Sequence, residues 1–390
     1  MKVIIHRGTH QIGGVATEIK SEKTRIIIDM GEELGLDSTF VPHPLSIAGV
    51  TDNNGTCDAI LITHYHGDHI GQLLNAHRDI PIYMGEFAKA VLLATLRDEQ
   101  ADLKSRIAEA KPFHPGIMFE IGDISITPYS IDHSACDSYM FLIEADGKRI
   151  LHTGDFRLHG FRGKALPKIL DRIGKVDTLI TEGTALSRST TQTTTEYELQ
   201  QKTRLYLEKY KHVFVLCAST NLERICALSK AVPRGKYFVC DGYQGKLIDI
   251  LQEHWGDYST LYRDIKKVIY GENIRSKLQE RGFLMMVRDN RQFRDIIGKF
   301  DPSQSIILYS MWDGYRTREN SSITSFLEIA GTWEPLHTSG HASIDDIESV
   351  IAISNPSKVI PIHTENPQML ESICPTETIV YAEDGEEVPV

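Results

Sequence analysis

A buried strand that runs directly into a histidine-rich turn is the feature that most constrains this chain. Residues Ala59–Thr63 read as a short apolar strand, residues 64–69 read HYHGDH, and a helical pattern follows. Two histidines at i and i+2 after a strand project to the same side, so His64 and His66 can reach one cation. Asp68 and His69 follow the turn and can reach a second position. Because catalytic zinc accepts imidazole and carboxylate ligands, this segment predicts a metal site, the alternative being a solvated loop.

Four further candidate ligands follow other apolar strands of the sequence. They are Asp29, His133, Asp155 and His363, each directly after a run of strand-like residues. Any one of them alone is typical of a loop residue or of a satisfied buried polar group. Their shared position after a strand favours convergence on one site.

The pattern of predicted elements changes near residue 190. Before it, short strands dominate, with a helix-like segment at His69–His77 and a hairpin whose turn is Asp146-Gly147. The Ser/Thr-rich stretch Leu186–Thr195 predicts a crossing between domains. After it, strands alternate with helices, which predicts a parallel sheet. The predicted elements there are helix Glu196–Tyr210, strand His212–Ala218, helix Asn221–Val232, strand Lys236–Cys240 and a last such strand, Ser305–Ser310, before helix Ile344–Ser354 and strand Lys358–Ile362.

Composition limits the partners and the location of the protein. The chain has 390 residues, 41% of them hydrophobic, and no apolar run long enough for a membrane helix. Its N-terminus becomes polar too early for a signal peptide, and its six scattered cysteines form no CxxC pair, so we predict a cytoplasmic protein that does not bind membranes. The formal net charge of -11 gives no general attraction to nucleic acid, so any such site must be local.

These motifs resemble the metallo-β-lactamase superfamily, and specifically its β-CASP branch, to which ribonuclease J belongs. The resemblance rests on the HYHGDH segment and on four others: DHSACDS at 132–138, HTGDFR at 152–157, LHTSGHAS at 336–343 and PIHTE at 361–365. It implies an α/β protein, an αββα metallo-β-lactamase sandwich with an inserted α/β β-CASP domain. The expected boundaries are 1–184 for the first part of the sandwich, 185–335 for the insertion and 336–390 for the segment that completes the metal site.

The resemblance also implies the ligand set of a dinuclear centre with two Zn²⁺ ions, Mn²⁺ being the alternative. One ion would be held by His64, His66 and His133, and the other by Asp68, His69 and His363. Asp155 would bridge the two, and Asp29 would orient a ligand.

The same resemblance assigns the catalytic groups of a ribonuclease. A hydroxide that bridges the two metals would attack phosphorus, with Asp68 orienting it. His341 would protonate the leaving oxygen, and Glu182 would orient His341. Family members that cut RNA tend to carry histidine at the position of His363, which favours an RNA substrate. Ribonuclease J usually has aspartate at the position of Glu182.

Four residues are candidates for phosphate or RNA binding. Asn221 and Arg224 stand at a helix start that resembles an Asn-x-x-Arg segment of ribonuclease J, although helix capping by Ser219, Thr220 or Asn221 explains the start as well. His337 and Ser339 could donate hydrogen bonds to a phosphate, or hold the turn before the next helix. The segment Met311–Arg318 could stack a base and contact phosphate, or form a solvated loop.

Three other functions remain open at this point: a small-molecule hydrolase of the same fold, a DNA nuclease, and a catalytically silent RNA-binding subunit. The sequence leaves open whether cleavage is internal or terminal, which RNA is cut, which 5′ end is preferred, and whether the protein forms a homodimer.

Overall fold

The computed structural model describes residues 1–35, 40–52, 54–187 and 194–390. Within them, the strands are β1 Lys2–Arg7, β2 Ala16–Lys20, β3 Arg25–Ile28, β4 Ala59–Leu61, β5 Ile82–Gly85, β6 Lys111–Phe113, β7 Phe119–Ile121, β8 Ile124–Ile131, β9 Ser138–Ala145, β10 Lys148–His152, β11 Thr178–Glu182, β12 His212–Leu216, β13 Tyr237–Cys240, β14 Lys267–Ile269, β15 Phe283–Val287, β16 Ser305–Tyr309, β17 Trp333–Pro335, β18 Lys358–Ile362 and β19 Glu387–Pro389. The α-helices are α1 Gly67–Ile70, α2 Glu86–Thr95, α3 Ala101–Ala108, α4 Leu166–Ile173, α5 Glu196–Lys209, α6 Leu222–Ala231, α7 Gly242–Trp255, α8 Arg275–Arg281, α9 Arg291–Ile297, α10 Asp313–Thr317, α11 Ile323–Leu327 and α12 Ile344–Ser354. No helix in these ranges is both long and apolar enough to span a bilayer.

The described chain divides into two compact units. The first contains residues up to 187, together with 340–390, and the second contains residues 194–339. Six residues of the predicted crossing Leu186–Thr195, numbers 188–193, lie outside the described residues.

The first unit is built on two sheets that face each other. One has the order β19-β1-β2-β3-β4-β5-β6 and the other β18-β11-β10-β9-β8-β7. Side chains of both sheets, such as Ile26 and Phe141, share one buried apolar cluster. Helices α4 and α12 cover the other face of the second sheet, where Leu170 and Ile347 pack against Leu179. Helix α2 packs beside β5 of the first sheet. The αββα arrangement predicted from the motifs is therefore present.

The second unit contains one sheet, in which every pair of strands is parallel. Its order is β14-β13-β15-β12-β16-β17. Four of these strands, β12, β13, β15 and β16, are almost entirely buried and read as continuous apolar runs, as expected when helices cover both faces. The predicted parallel sheet is confirmed.

Two local predictions are correct, two are wrong, and one helix was missed. The turn at Asp146-Gly147 has positive φ at both residues (50° and 70°), as a type I′ hairpin requires. Helix α12 has the predicted bounds. The helix predicted over 69–77 ends at Ile70, because the amide of Gln72 leaves the helical pattern and donates to the carbonyl of Met30 at 2.9 Å. Helix α3 was not predicted, and Ser305–Ser310 is not the last strand, since β17 pairs with β16.

Candidate metal centre

The loop after β4 is held by its backbone as well as by its side chains. The amide of Met30 donates to the carbonyl of His69 at 2.8 Å, and the amide of Val15 donates to the carbonyl of Asp68 at 3.2 Å. A Cβ atom at Gly31 would lie 1.7 Å from that same Asp68 oxygen. A glycine is therefore required at 31 for the loop to approach the chain that precedes it.

Three histidines form the first group of the centre. His64, His66 and His133 each offer a ring nitrogen, and these atoms lie within 4.8 Å of one another. Nδ1 of His66 is 3.0 Å from Nε2 of His64 and 3.2 Å from Nε2 of His133. Burial lowers the pKa of His64 and His133 well below the usual range, and it lowers the pKa of His66 to about 4. All three rings are therefore neutral bases near pH 7, the form in which imidazole binds a metal.

Asp155 lies at the middle of the whole arrangement. Its Oδ2 atom is 3.1 to 3.9 Å from one nitrogen of each of five histidines, which are His64, His69, His133, His341 and His363. Burial would raise the pKa of Asp155, but the nearby His363, His69 and His341 hold it well below its usual range. An ionised carboxylate therefore stands where two groups of donors meet.

A second group surrounds Asp155 from another side. Asp68, His69, Asp155 and His363 offer atoms within 4.8 Å of one another. Oδ2 of Asp68 lies 3.3 Å from Nε2 of His363. Burial opposes ionisation of Asp68, but His69 and His363 lower its pKa below the usual range. Burial alone would lower the pKa of His69. The negative charges of Asp155, Asp29 and Asp68 outweigh that effect, so the pKa of His69 is raised.

Four of the histidines are oriented by an oxygen outside the cluster. Nδ1 of His69 donates to Asp29 at 2.8 Å, and Nδ1 of His133 donates to the carbonyl of Gly340 at 2.6 Å. The hydroxyl of Thr63 lies 3.1 Å from Nδ1 of His64 and donates its own proton to Asp29. The hydroxyl of Thr184 lies 2.8 Å from Nδ1 of His363 and donates to the carbonyl of His363. Each ring consequently presents Nε2 to the cluster, as in metal sites whose outer partners set the tautomer.

Two members of this arrangement adopt a backbone conformation that is uncommon outside glycine. Asp29 has φ 62° and His363 has φ 56°. Each stands directly after a strand, β3 or β18, and each turns its side chain towards a neighbouring strand end. Such conformations cost free energy and are concentrated at functional sites.

Glu182 and His341 adjoin the second group. Nδ1 of His341 lies 3.1 Å from Oε2 of Glu182, which is fully buried at the end of β11. The other carboxylate oxygen accepts the amide of Phe156 at 2.9 Å. These two residues also form a third potential metal-binding group with Asp155 and His363. The geometry thus allows His341 to act either as a proton donor or as a ligand.

The donor set fits metal ions of the zinc type. Neutral imidazoles and ionised carboxylates are the preferred ligands, and the outer partners that such ligands need are present. The three nitrogens of the first group face one another, so their lone pairs need a shared cation or protons. The sequence analysis did not single out Thr63 and Thr184. Thr63 directly precedes His64, and Thr184 follows Glu182 by two positions.

The four predicted phosphate-binding residues lie in the second unit. Arg224 is only 1% exposed and forms an ion pair with Glu196 at 2.6 Å, and it also donates to the carbonyl of Thr338. Its Nη1 atom lies 3.2 Å from Nδ1 of His337. The sequence offered no indication of this pairing. Ser339 is the partly exposed last residue of this unit.

Asn221 is the N-cap residue of α6, but its side chain makes no capping hydrogen bond. Of the three capping candidates, Ser219, Thr220 and Asn221, the side chain of Asn221 does not cap the helix. Its Oδ1 atom is buried and has no hydrogen-bond partner within the described ranges. A phosphate-binding role for Asn221 stays a prediction.

Two family models match the chain. Residues 24–214 match the β-lactamase superfamily domain, and residues 327–371 match the RNA specificity domain of Zn-dependent metallo-hydrolases. The first match contains six of the seven predicted ligands, and the second contains His341 and the remaining ligand, His363.

Among curated proteins, ribonuclease J of Helicobacter pylori B128 is 23% identical over 98% of this chain and 60% of its own length. Ribonuclease J of Mycoplasma genitalium is 21% identical over 93% of this chain and 68% of its own. A probable RNase of Methanocaldococcus jannaschii, MJ4, is 26% identical over 47% of this chain and 45% of its own. This chain spans about 60% of the length of the Helicobacter relatives.

A solved structure has the same fold. The crystal structure of a protein of unknown function from Enterococcus faecalis V583 matches with a TM-score of 0.79, at 20% identity, over 99% of both chains.

Proposed function

We propose that this chain, which has a metallo-β-lactamase sandwich with a β-CASP insertion and resembles ribonuclease J, is a metal-dependent ribonuclease that hydrolyses phosphodiester bonds. The position of Asp155, with one nitrogen of each of five histidines 3.1 to 3.9 Å from its Oδ2 atom, carries this proposal. The match of residues 327–371 to an RNA specificity domain supports RNA as the substrate. We assign the β-CASP insertion to residues 185–335, within a protein of the cytoplasm.

Two zinc ions, or two manganese ions, would be held by the two groups of side chains. His64, His66 and His133 would bind one, and Asp68, His69 and His363 the other, with Asp155 between them. Such ions supply a lowered pKa for a bound water and polarise the oxygens of a phosphate. At neutral pH the imidazoles of the first group and the carboxylates of the second would bind these ions without losing protons, whereas His69, whose pKa is raised, would release one.

Asp68 has the position and charge of a group that orients the attacking water. Its side chain is 14% exposed, so it reaches solvent, unlike the fully buried side chain of His363 beside it. Its pKa is held below the usual range mainly by His69 and His363, against the effect of burial. An ionised, partly exposed carboxylate can accept a hydrogen bond from the water that attacks phosphorus.

His341 is the proposed acid for the leaving ribose oxygen. Its side chain is 21% exposed, and its Nδ1 atom faces the buried Oε2 of Glu182. A hydrogen bond from Nδ1 to that carboxylate would orient the ring and direct Nε2 as the donor of the proton. Because Glu182 also accepts the amide of Phe156, its own position does not depend on substrate.

The preference for RNA over DNA is assigned to the environment of His363 and to the second unit. His363 stands where the RNA-cutting β-CASP enzymes tend to carry histidine. Among the residues of the second unit, His337, Ser339 and Asn221 remain candidates for phosphate contact. The buried Arg224 is the weakest of the four, since Glu196 already neutralises it.

The test combines metal analysis with three substrates. Protein purified without chelator should contain about two zinc-type ions per chain, and it should cut 5′-labelled RNA in preference to DNA of the same sequence. Bis(p-nitrophenyl) phosphate reports on the centre without an RNA-binding contribution. Turnover of the ester without cleavage of RNA would contradict the proposal that RNA is the substrate. Protein that contains no metal and turns over no substrate would contradict the proposal that it is a metal-dependent hydrolase. Products from monophosphate and triphosphate RNA would give the polarity and the preferred 5′ end.

A further inference from the structure

A short aromatic and basic segment follows β16 at the carboxyl edge of the parallel sheet. It runs from Met311 to Arg318 and contains helix α10. In open parallel sheets, ligands bind outside the carboxyl ends of the strands. The segment therefore stands where such a sheet presents a ligand-binding surface.

The indole ring of Trp312 is held in one orientation while a substantial part of it is exposed. A Cβ atom at Gly314 would lie 2.2 to 2.4 Å from three atoms of the ring, so the ring lies directly against that glycine. The ring of Tyr315 meets it edge to face, with centroids 5.5 Å apart. The backbone is anchored where the hydroxyl of Tyr309 donates to the carbonyl of Trp312 at 2.8 Å. Trp312 nevertheless remains 40% exposed.

The two arginines of this segment have different environments. Arg316 donates two hydrogen bonds to Asp313, at 2.7 and 2.9 Å, so its charge is neutralised within the segment. Arg318 lies over the ring of Tyr315, 4.8 Å from its centroid. Its Nε atom is buried and has no hydrogen-bond partner in the described part of the chain. The Nε atom is shielded from solvent, so a phosphate would reach the Arg318 guanidinium through its terminal nitrogens.

An aromatic–arginine pair elsewhere at this edge is less suited to an anionic ligand. Arg288 lies between the rings of Tyr243 and Phe293, at 4.9 and 5.1 Å from their centroids. Its guanidinium also forms an ion pair with Asp241, which neutralises it. The comparison favours the segment that carries Arg318.

We propose that Trp312, Tyr315 and Arg318 form a platform that binds one unpaired nucleotide of single-stranded RNA. The base stacks on the exposed part of the Trp312 ring, and Arg318 contacts the adjacent phosphate. Because the protein carries a formal net charge of -11, phosphate contact depends on local cations of this kind. Stacking tolerates any base, so the platform contributes affinity with little sequence preference. This inference rests on the proposed ribonuclease function and assigns part of its substrate site.

The experiment measures binding of a labelled ten-nucleotide phosphorothioate oligouridylate by fluorescence anisotropy. Trp312→Ala should weaken binding by about 5- to 150-fold, the range for a lost stacking partner. Trp312→Phe keeps a ring and should lose less. The matched control is Tyr258→Ala, because Tyr258 is an aromatic residue of the same unit that is 82% exposed and should leave binding unchanged. Tyr258→Ala should also turn over bis(p-nitrophenyl) phosphate at the wild-type rate.

Arg318 is tested by the salt dependence of binding. Arg318→Gln should reduce the slope of log Kd against log salt concentration by about 0.7, as expected for one phosphate contact on a single strand. If wild-type protein binds and cuts RNA while Trp312→Ala behaves like Tyr258→Ala, the platform is wrong and the ribonuclease function stands. If Trp312→Phe loses as much as Trp312→Ala, stacking is not the cause. If wild-type protein binds no RNA, the proposed substrate and the platform both fail, and ester turnover separates that result from an inactive preparation.

Discussion

Both units bury charged side chains at the ends of strands, but the two clusters differ in how their charges are balanced. In the second unit, Arg224 is enclosed by Glu196, Ser310 and Thr338, so its guanidinium has protein acceptors. In the first unit, Nδ1 of His66 lies 3.0 Å from Nε2 of His64 and 3.2 Å from Nε2 of His133. A buried charge that has its own counter-charge needs no ligand, whereas ring nitrogens that face one another need a shared cation or protons.

The largest expected effect comes from Asp155, which lies at the middle of the histidine and aspartate cluster of the first unit. Asp155→Asn should lower metal content and reduce turnover of RNA by at least on the order of 10³-fold, since it removes the charge that both groups share. Asp137→Asn is the matched control, because Asp137 is also buried but is satisfied by Ala88 and Tyr139. Elemental analysis and turnover check both variants. Wild-type metal content in Asp155→Asn would contradict the bridging role.

His341 should affect chemistry more than metal content. His341→Ala should reduce RNA turnover by on the order of 10²–10⁴-fold, the range for a lost general acid, while metal content stays near that of the wild type. Glu182→Gln should have a smaller effect, because the proton donor remains. Both losses should shrink with a nitrophenolate leaving group, which needs no proton. Equal losses on RNA and on the activated ester would instead indicate that His341 binds metal or phosphate.

Substitutions in the Arg224–Glu196 cluster of the second unit should change the stability of the fold. Arg224→Met leaves Glu196 buried without its partner and should lower the free energy of unfolding by about 3–5 kcal/mol. The double variant Arg224→Met with Glu196→Leu should recover most of that loss, since no charge is left buried. Denaturant unfolding measures both, and metal content should not change. Loss of metal in Arg224→Met would show that the two clusters are not independent.

The orienting hydroxyls should have a smaller effect than the ligands. Thr184→Val removes the partner of Nδ1 of His363 and should weaken metal affinity by about 10- to 100-fold. Thr184→Ser keeps the hydroxyl and is the control. Titration with a competing chelator measures the affinities, and equal values for the two variants would rule out an orienting role for the hydroxyl.

The first unit also contains a buried carboxylate, Glu18, that is paired within the protein. Its contribution to the pH dependence of stability should be the smallest of these effects. Burial would raise the pKa of Glu18, but hydrogen bonds from His6, Arg25 and Lys20 lower it to about 2. A folded-state pKa below the unfolded value means that this stabilisation is complete above about pH 4.5 and is lost as the pH falls towards 2. The loss should be on the order of 1–3 kcal/mol.

Urea unfolding of metal-free protein between pH 6 and pH 2.5 measures this contribution. Glu18→Gln should have a flatter profile than the wild type over that interval. Parallel profiles would mean that other carboxylates cause the acid sensitivity.

The sequence by itself determined the elements whose residues interact locally. The apolar run before His64 predicts β4, the alternation after Glu196 predicts a parallel sheet, and Ser343 and Asp346 cap α12 at the predicted start. The motifs also indicated which strand ends carry polar side chains, since Asp29, His64 and His363 each follow an apolar run closely in the sequence. The roles of those side chains as ligands stay predictions until metal is measured.

Tertiary structure decided whatever depends on partners distant in the sequence. Arg224 is the weakest of the phosphate-binding candidates because Glu196 and Thr338, 28 and 114 positions away, enclose it. The helix predicted over 69–77 stops early because Gln72 bonds the backbone of Met30, and Thr184 became relevant only when β11 and β18 paired and brought His363 to it. Periodicity and local propensity encode which face of an element is buried. The partner that a buried polar group meets is set by packing between segments, and local sequence carries no record of it.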